Sequence, residues 1–167
     1  MNQHTADHRQ ICTFIIEGEH YGLDILDVKE VHAGNRFTPI HHAPETVKGY
    51  VNIRGQIHLI VDLKVLLGHP PTPERESTRI LLFKPGAGEA FGVLVDAIGD
   101  VCPAPDSLIA PMDSQTASSG PGILRHLATG ILKNSSHLVT LLSAKSILQH
   151  LSPSSSDKIP GNTGTLK

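Results

Sequence analysis

The sequence has no tryptophan, four phenylalanines, two tyrosines and two cysteines among its 167 residues. Charged residues make up 18% of the chain, below the quarter that is usual in soluble domains. The formal net charge is −2 and the basic residues are scattered singly, whereas a nucleic-acid-binding face needs concentrated positive charge. We therefore expect no nucleic-acid partner.

Long apolar segments are also missing. No run approaches the roughly eighteen apolar residues that indicate a membrane-spanning helix, and residues 1–10 are polar. We therefore expect no direct membrane insertion, no secretory signal and a cytoplasmic location. Cys12 and Cys102 lack a CxxC spacing, so we expect buried thiols in a reducing compartment rather than a disulfide.

The sequence shows no residue pattern typical of catalysis or metal binding. Its eleven histidines have no HxH, HExxH or His/Cys spacing that suits a tetrahedral metal site. His58 and His137 alternate with apolar neighbours and are expected on the outward face of the sheet. No serine lies in a nucleophile-elbow context, and no carboxylate pair is indicated. We expect no enzyme, no cofactor and no metal; a histidine-dependent metal-binding module and a small hydrolase remain as alternatives.

The sequence does contain many short apolar segments, which are separated by Gly, Pro and Asn. Their β-branched residues predict a mainly β protein with a few short helices. The predicted strands are 11–16, 20–25, 28–32, 47–53, 56–61, 79–84, 90–95, 97–102, 128–133 and 137–142. Helices are predicted after Asp62 and Ser143, because Asp and Ser oxygens accept the free N–H groups of a first helical turn.

Composition divides the chain into a folded domain and two tails. The polar N-terminal segment and the Ser-, Pro-, Gly- and Thr-rich C-terminal segment are expected to be disordered. A Pro-rich stretch at 68–77 separates two halves of the domain, and a long loop at 104–122 carries no recognisable motif. The predicted units are a tail at 1–9, a domain at 10–150 with subdomains at about 10–70 and 71–150, and a tail at 151–167.

Two segments of the first half recur in the second. Residues 21–31 (YGLDILDVKEV) align with 91–101 (FGVLVDAIGDV), and residues 49–67 align without a gap with 130–148. This ordered recurrence predicts a duplicated β unit, in which two small barrels of about five strands pack together and each closes with a short helix.

The two copies differ at the turn between their paired strands. The first has Asn-Ile-Arg-Gly at 52–55, where the second has Lys-Asn-Ser-Ser at 133–136. Both need a turn but only one has a guanidinium, which indicates a role for Arg54 beyond turning the chain. An ion pair with Glu30 or Asp62 is compatible with that role, since it would hold the guanidinium in place for a partner. The residues expected on one face of the hairpin are Val51, Ile53, Ile57, Leu59 and Val61.

Four segments carry a resemblance to a known family. They are residues 21–31, 37–63, 91–101 and 137–148. The block at 37–63 is the specific one, with aromatic-x-Pro-Ile, Ala-Pro, a glycine and then Asn-x-Arg-Gly before Val-Asp-Leu. Over roughly residues 10–150 the sequence resembles the CheW family, the coupling proteins of bacterial chemotaxis arrays.

The resemblance implies a fold of two packed five-stranded SH3-like barrels and a protein without catalytic activity. CheW-like proteins bridge methyl-accepting chemotaxis receptors to the histidine kinase CheA, and they dock on the kinase's own CheW-like regulatory domain. Both are therefore expected partners, with recruitment to membrane-associated receptor arrays. An adaptor of a non-flagellar pathway such as twitching motility is the alternative.

The resemblance also implies a receptor and kinase interface. Its residues are Val28, Glu30, Gly49, Asn52, Arg54, Gly55 and Gly92. Arg54 matches the arginine of the Asn-x-Arg-Gly turn, with Glu30 as its ion-pair partner. Val28 matches an apolar position in the receptor-facing groove between the barrels, and Gly92 belongs to the kinase-contacting half.

Overall fold

The computed structural model describes residues 9–34, 36–71, 75–85, 90–112 and 122–151. Within them the strands are β1 (Gln10–Ile16), β2 (Glu19–Asp24), β3 (Val28–Ala33), β4 (Val47–Ile53), β5 (Gln56–Asp62), β6 (Arg79–Phe83), β7 (Phe91–Val95), β8 (Ala97–Pro103), β9 (Ile109–Ala110), β10 (Ala128–Lys133) and β11 (Leu138–Leu142). The helices are α1 (Leu63–Leu66), α2 (Leu124–Leu127), α3 (Ala144–Leu151) and a 3-10 turn at Asp106–Leu108. Nearly all of both predicted tails lies outside the described residues.

All ten predicted strands are present, with bounds that differ by at most one residue. Both predicted helices are confirmed with their caps. Asp62 Oδ1 accepts hydrogen bonds from the backbone N–H groups of Lys64 and Val65, and Ser143 Oγ accepts one from that of Ser146. The sequence did not predict β9 or α2, which have two and four residues and are too short to show a periodic pattern.

The strands form two sheets, which confirms the predicted mainly β architecture. The six-stranded sheet has the order β8-β1-β2-β11-β10-β9, and the five-stranded sheet has the order β3-β6-β7-β5-β4. Each sheet contains strands from both halves of the chain, because β3 follows β2 but pairs with β6, and β8 follows β7 but pairs with β1. A boundary between subdomains near residue 70 is not visible in the sheets and stays a prediction.

The same parallel strand pair lies within each sheet. Tyr21 of β2 pairs with Thr140 of β11, and Phe91 of β7 pairs with Leu59 of β5. Tyr21 and Phe91 are 70 residues apart (91 − 21), and Leu59 and Thr140 are 81 apart (140 − 59). These are the two shifts that align the repeated segments, so the predicted duplication is confirmed at the level of strand register.

The hairpins β4–β5 and β10–β11 match in register as well. Asn52 pairs with Ile57 in the first, and Lys133 pairs with Leu138 at the corresponding place in the second. Both ladders also contain an irregularity just before the aligned glycines, Gly49 and Gly130.

One predicted feature of the β4–β5 hairpin is wrong, namely that its odd-numbered apolar residues share a face. Val51 pairs with His58 and Asn52 pairs with Ile57, so an odd residue of β4 lies opposite an even residue of β5. Because cross-strand partners point to the same side, Val51 and Ile57 lie on opposite faces. Ile57 is 61% exposed, whereas His58, expected on the outward face, is buried.

Among the described residues, buried apolar side chains form three clusters. The largest takes side chains from both sheets and all three helices, among them Phe14, Val93 and Ile147, and joins the two halves. Each sheet also has a cluster of its own, one around Ile11 and the other around Ile60. The arrangement of one shared core and two separate cores is what two packed β units require.

Candidate functional site

The tip of the β4–β5 hairpin is a two-residue turn at Arg54 and Gly55. Their φ angles are +52° and +85°, which is the pattern of a type I′ turn. The Asn52 side-chain oxygen accepts a hydrogen bond of 2.9 Å from the Gly55 backbone N–H. Such turns favour Asn or Gly at the position of Arg54, since a side chain with positive φ costs roughly 1–2 kcal/mol. The turn therefore places an arginine where backbone conformation alone would disfavour it.

Arg54 reaches from this turn to Glu30 on β3. The distance from Arg54 Nη1 to Glu30 Oε2 is 3.2 Å, so the predicted ion pair is confirmed, while Asp62 caps α1 instead. The Arg54 side chain is 77% exposed and that of Glu30 is 21% exposed. The carboxylate is thus fixed on a strand, and most of the guanidinium faces solvent.

A second basic group contacts the same carboxylate oxygen. His32 Nε2 lies 3.2 Å from Glu30 Oε2, but the two are not aligned for a hydrogen bond, and this buried nitrogen has no hydrogen-bond partner among the described residues. Burial raises the pKa of Glu30, but contact with His32 and the charge of Arg54 lower it more, and the net shift is downward. Glu30 is therefore ionised at neutral pH.

His58 lies close to this group. It is 1% exposed, and its Nδ1 has no hydrogen-bond partner among the described residues. Burial lowers its pKa, as do the charges of Lys29 and His32, while Glu30 opposes them. His58 is therefore neutral at neutral pH. We call Glu30, His32, Arg54 and His58 the basic–acidic cluster.

The structure brings some of the predicted interface residues together and separates others. Asn52, Arg54 and Gly55 form the turn, and Glu30 is held against it. Val28 is partly buried and packs on the core that the two sheets share, and the groove expected between them stays a prediction. That these residues contact a partner stays a prediction.

Gly49 and Gly92 are buried, and packing explains why each is glycine. A Cβ atom on Gly49 would lie 2.3 Å from the backbone oxygen of Thr38, and one on Gly92 would lie 2.7 Å from that of Leu81. A role for either at an interface would therefore act through the position of its strand.

The other hairpin has a different tip. Four residues, 134–137, connect β10 to β11, and the Asn134 side chain accepts a hydrogen bond of 2.7 Å from the Ser135 backbone N–H. No guanidinium occupies this turn. At matching places beside the two tips, however, Ile57 is 61% exposed and Leu138 is 62% exposed. The halves thus have similar exposed apolar residues and different charges.

Sequence reasoning did not assign His32 or Lys64 to any site. His32 could have been found, because it lies two residues after Glu30 on a strand and so points to the same side. The role of Lys64 could not have been predicted from the repeat. Its aligned counterpart Lys145 is exposed, whereas Lys64 is buried between Glu17 and Asp96.

The described part of the chain also contains potential metal ligands, two cysteines and short helices. No group of three or more His, Cys, Asp or Glu side chains there could hold a metal ion. Cys12 and Cys102 are free thiols, and burial raises the pKa of both. No helix there is long and apolar enough to cross a bilayer.

Comparison with known proteins supports the same family. The family profile for the CheW-like domain matches residues 10–152. The chemotaxis protein CheW of Rhizobium meliloti is 27% identical over 143 residues, 86% of this chain and 89% of that protein. The probable chemotaxis protein CheW of Rhizobium etli is 25% identical over 139 residues, 83% and 86% of the two chains.

A solved structure also matches this fold. The crystal structure of the scaffolding protein TtCheW from Thermoanaerobacter tengcongensis aligns with a TM-score of 0.72 and 29% sequence identity, covering 81% of this chain and 89% of that one. The repeat, the two sheets and the profile match over nearly the whole folded region agree with one another. The chain therefore belongs to the family of CheW-like domains, and it is a non-catalytic scaffold protein of chemotaxis.

Proposed function

We propose that this protein links methyl-accepting chemoreceptors to the histidine kinase CheA. In this proposal it is recruited from the cytoplasm to receptor arrays at the membrane, and there it allows receptor state to control kinase activity. The kinase partner is the CheW-like regulatory domain of CheA, which has the same fold.

The observation that carries the proposal is the asymmetry of two otherwise matching halves. Their strands pair in the same register, yet only the first half has an arginine at its hairpin tip. A duplicated unit with one altered surface can hold two different partners at once, which is what a linking protein must do. A purely structural turn would not need an arginine with positive φ.

The receptor is assigned to the surface that contains Arg54, Glu30 and Val28. Its chemistry is mixed, with an exposed guanidinium, a carboxylate fixed on a strand and the partly buried apolar side chain of Val28 on the same strand. Arginine is enriched at the energetically important positions of interfaces, because its planar group can pair and stack at the same time.

CheA is assigned to the second half. Leu138 is largely exposed at the tip of the β10–β11 hairpin, and Val101 is 50% exposed on β8, an edge strand of the same six-stranded sheet. Exposed apolar side chains on a rigid sheet are suited to binding another folded domain.

A pull-down with a chemoreceptor cytoplasmic fragment and full-length CheA tests this assignment. Arg54→Glu is expected to weaken retention of the receptor fragment and to leave the melting temperature nearly unchanged, because the Arg54 side chain is 77% exposed. Lys145→Glu makes the same charge change at an exposed position of α3 and is expected to retain both partners. Equal retention by the two variants would contradict the role given to Arg54.

A further inference from the structure

We propose that His32 positions the Glu30–Arg54 ion pair and that protonation of His32 loosens this pair, so that receptor docking weakens as pH falls. The inference rests on the proposed function only for its consequence in docking. Its structural part, the response of Arg54 to pH, is independent of any partner.

Two groups contact one carboxylate oxygen. Arg54 Nη1 and His32 Nε2 each lie 3.2 Å from Glu30 Oε2. The Arg54 side chain has more room to move, because it is 77% exposed at a turn. The His32 side chain is 28% exposed and lies on the same strand as Glu30. If both are positively charged, His32 can stay beside the carboxylate and Arg54 is the group that can leave.

The buried nitrogen of His32 gives protonation a definite effect. Nε2 has no hydrogen-bond partner among the described residues, and a buried polar atom in that condition is unfavourable. A small rotation of the protonated ring would convert the present contact into a charge-assisted hydrogen bond to Glu30, which is stronger than a bond between neutral groups. This hydrogen bond would compete with the ion pair between Glu30 and Arg54, because both use the same carboxylate oxygen.

The charges around the cluster favour the same outcome. Lys29 and Arg54 are positive and Glu30 is negative, so the local net charge is +1 with neutral imidazoles (2 − 1) and +2 once His32 is protonated (3 − 1). The facing residues of β6 are Ile80 and Leu82, which are apolar and contribute no compensating charge. Within the described part of the chain, Glu30 is the carboxylate that contacts both groups, and it offsets the repulsion between imidazolium and guanidinium.

His32 is the imidazole that lies against the Glu30 carboxylate in this geometry. Imidazole side chains change charge between about pH 5 and pH 8. Glu30 stays ionised in that range because its pKa is lowered by its basic neighbours against the effect of burial. Burial lowers the pKa of His58, so His58 gains its charge at a lower pH than a solvent-exposed imidazole does.

NMR of the full chain tests the structural part. The side-chain N–H signal of Arg54 is expected to shift between pH 8 and pH 5.5, with the midpoint of the His32 ring signal. His32→Gln keeps a neutral polar side chain and is expected to abolish the shift. His150→Gln, at an exposed position of α3, is expected to leave it unchanged. An Arg54 signal that does not follow His32 in the wild type overturns the inference, whether or not His32→Gln folds.

Binding to a chemoreceptor cytoplasmic fragment tests the consequence. Affinity is expected to fall about two- to fivefold from pH 8 to pH 6 in the wild type, the range expected for an exposed ion pair, and not in His32→Gln. An equal fall in both proteins overturns the docking role of His32. Absence of binding at every pH, with the Arg54 signal still following His32, contradicts the proposed function and leaves the structural part in place.

Discussion

Replacing Lys64 by methionine is expected to destabilise the protein strongly, because Lys64 links three separate elements. Its Nζ lies 2.8 Å from Glu17 Oε1 in the β1–β2 turn and 2.8 Å from Asp96 Oδ1 between β7 and β8. Asp96 Oδ2 also accepts a hydrogen bond of 2.9 Å from the Glu17 backbone N–H. The Lys64 side chain is only 5% exposed, so its ammonium group depends on these contacts more than on water.

The magnitude follows from the burial of the three groups. Removing one partner of a fully buried ion pair costs about 3–5 kcal/mol, because the other charge is left unpaired. The side chains of Glu17 and Asp96 are 38% and 34% exposed, and they border a cavity of about 340 Å³, so both can be partly hydrated after the change. We therefore expect Lys64→Met to lower the free energy of unfolding by about 2–3 kcal/mol.

Urea and thermal unfolding followed by circular dichroism measure this loss. For a chain of this length, the melting temperature is expected to fall by about 5–10 °C. Lys145→Met is the matched control, because Lys145 is aligned with Lys64 in the repeat but is exposed, and it is expected to change the free energy by less than about 0.5 kcal/mol. A similar change in both variants would refute the reasoning.

Two further predictions follow from the same structure. Gly92→Ala should lower the free energy of unfolding by about 2 kcal/mol, because its Cβ would lie 2.7 Å from the Leu81 backbone oxygen. Gly122→Ala is the control, because a Cβ there meets open space and should leave stability unchanged. Equal melting temperatures of the two variants would contradict this prediction. Burial lowers the pKa of Lys64, but its hydrogen bonds to Asp96 and Glu17 raise it more, so the folded-state pKa lies above 10.5. The stability that the charged Lys64 adds to the folded protein is therefore complete below pH 10.5. It is lost as pH rises through the folded-state pKa. The stability difference between wild type and Lys64→Met should therefore shrink at alkaline pH, and a constant difference would contradict the raised pKa.

The sequence predicted the strands well because each is bounded by strong local signals. Gly, Pro and Asn residues separate the apolar segments, and the ends of the ten predicted strands were placed to within one residue. The repeat added long-range information that local patterns lack. It predicted the correspondence between Leu59 and Thr140, and the structure shows it in the parallel strand pairs.

The exchange of strands between the sheets was not predictable from the repeat. Alignment shows that two segments are alike, but not whether β3 pairs within its own half or with β6. Both arrangements bury the same alternating residues, so local hydrophobic pattern does not distinguish them. Tertiary packing of the shared core decides between them.

The error about His58 has a related cause. Alternation along one strand indicates which residues share a side of that strand, but the face across a hairpin depends on the register of pairing. β5 is also an interior strand of its sheet and is buried over most of its length, so polar His58 and apolar Ile60 are both buried. Of the candidate site, the sequence predicted the Arg54–Glu30 pair and did not predict the two histidines beside it.

The most direct test of the linking function is assembly of the ternary complex with a charge-swapped pair. CheA kinase activity is measured with receptor fragments and with wild type, Arg54→Glu or the double variant Glu30→Arg/Arg54→Glu. The double variant restores an ion pair between the same positions but reverses the charge at the exposed tip. If Arg54 docks the receptor, both variants should fail to support receptor-dependent kinase activity while remaining folded. Wild-type activity with Arg54→Glu would contradict the account.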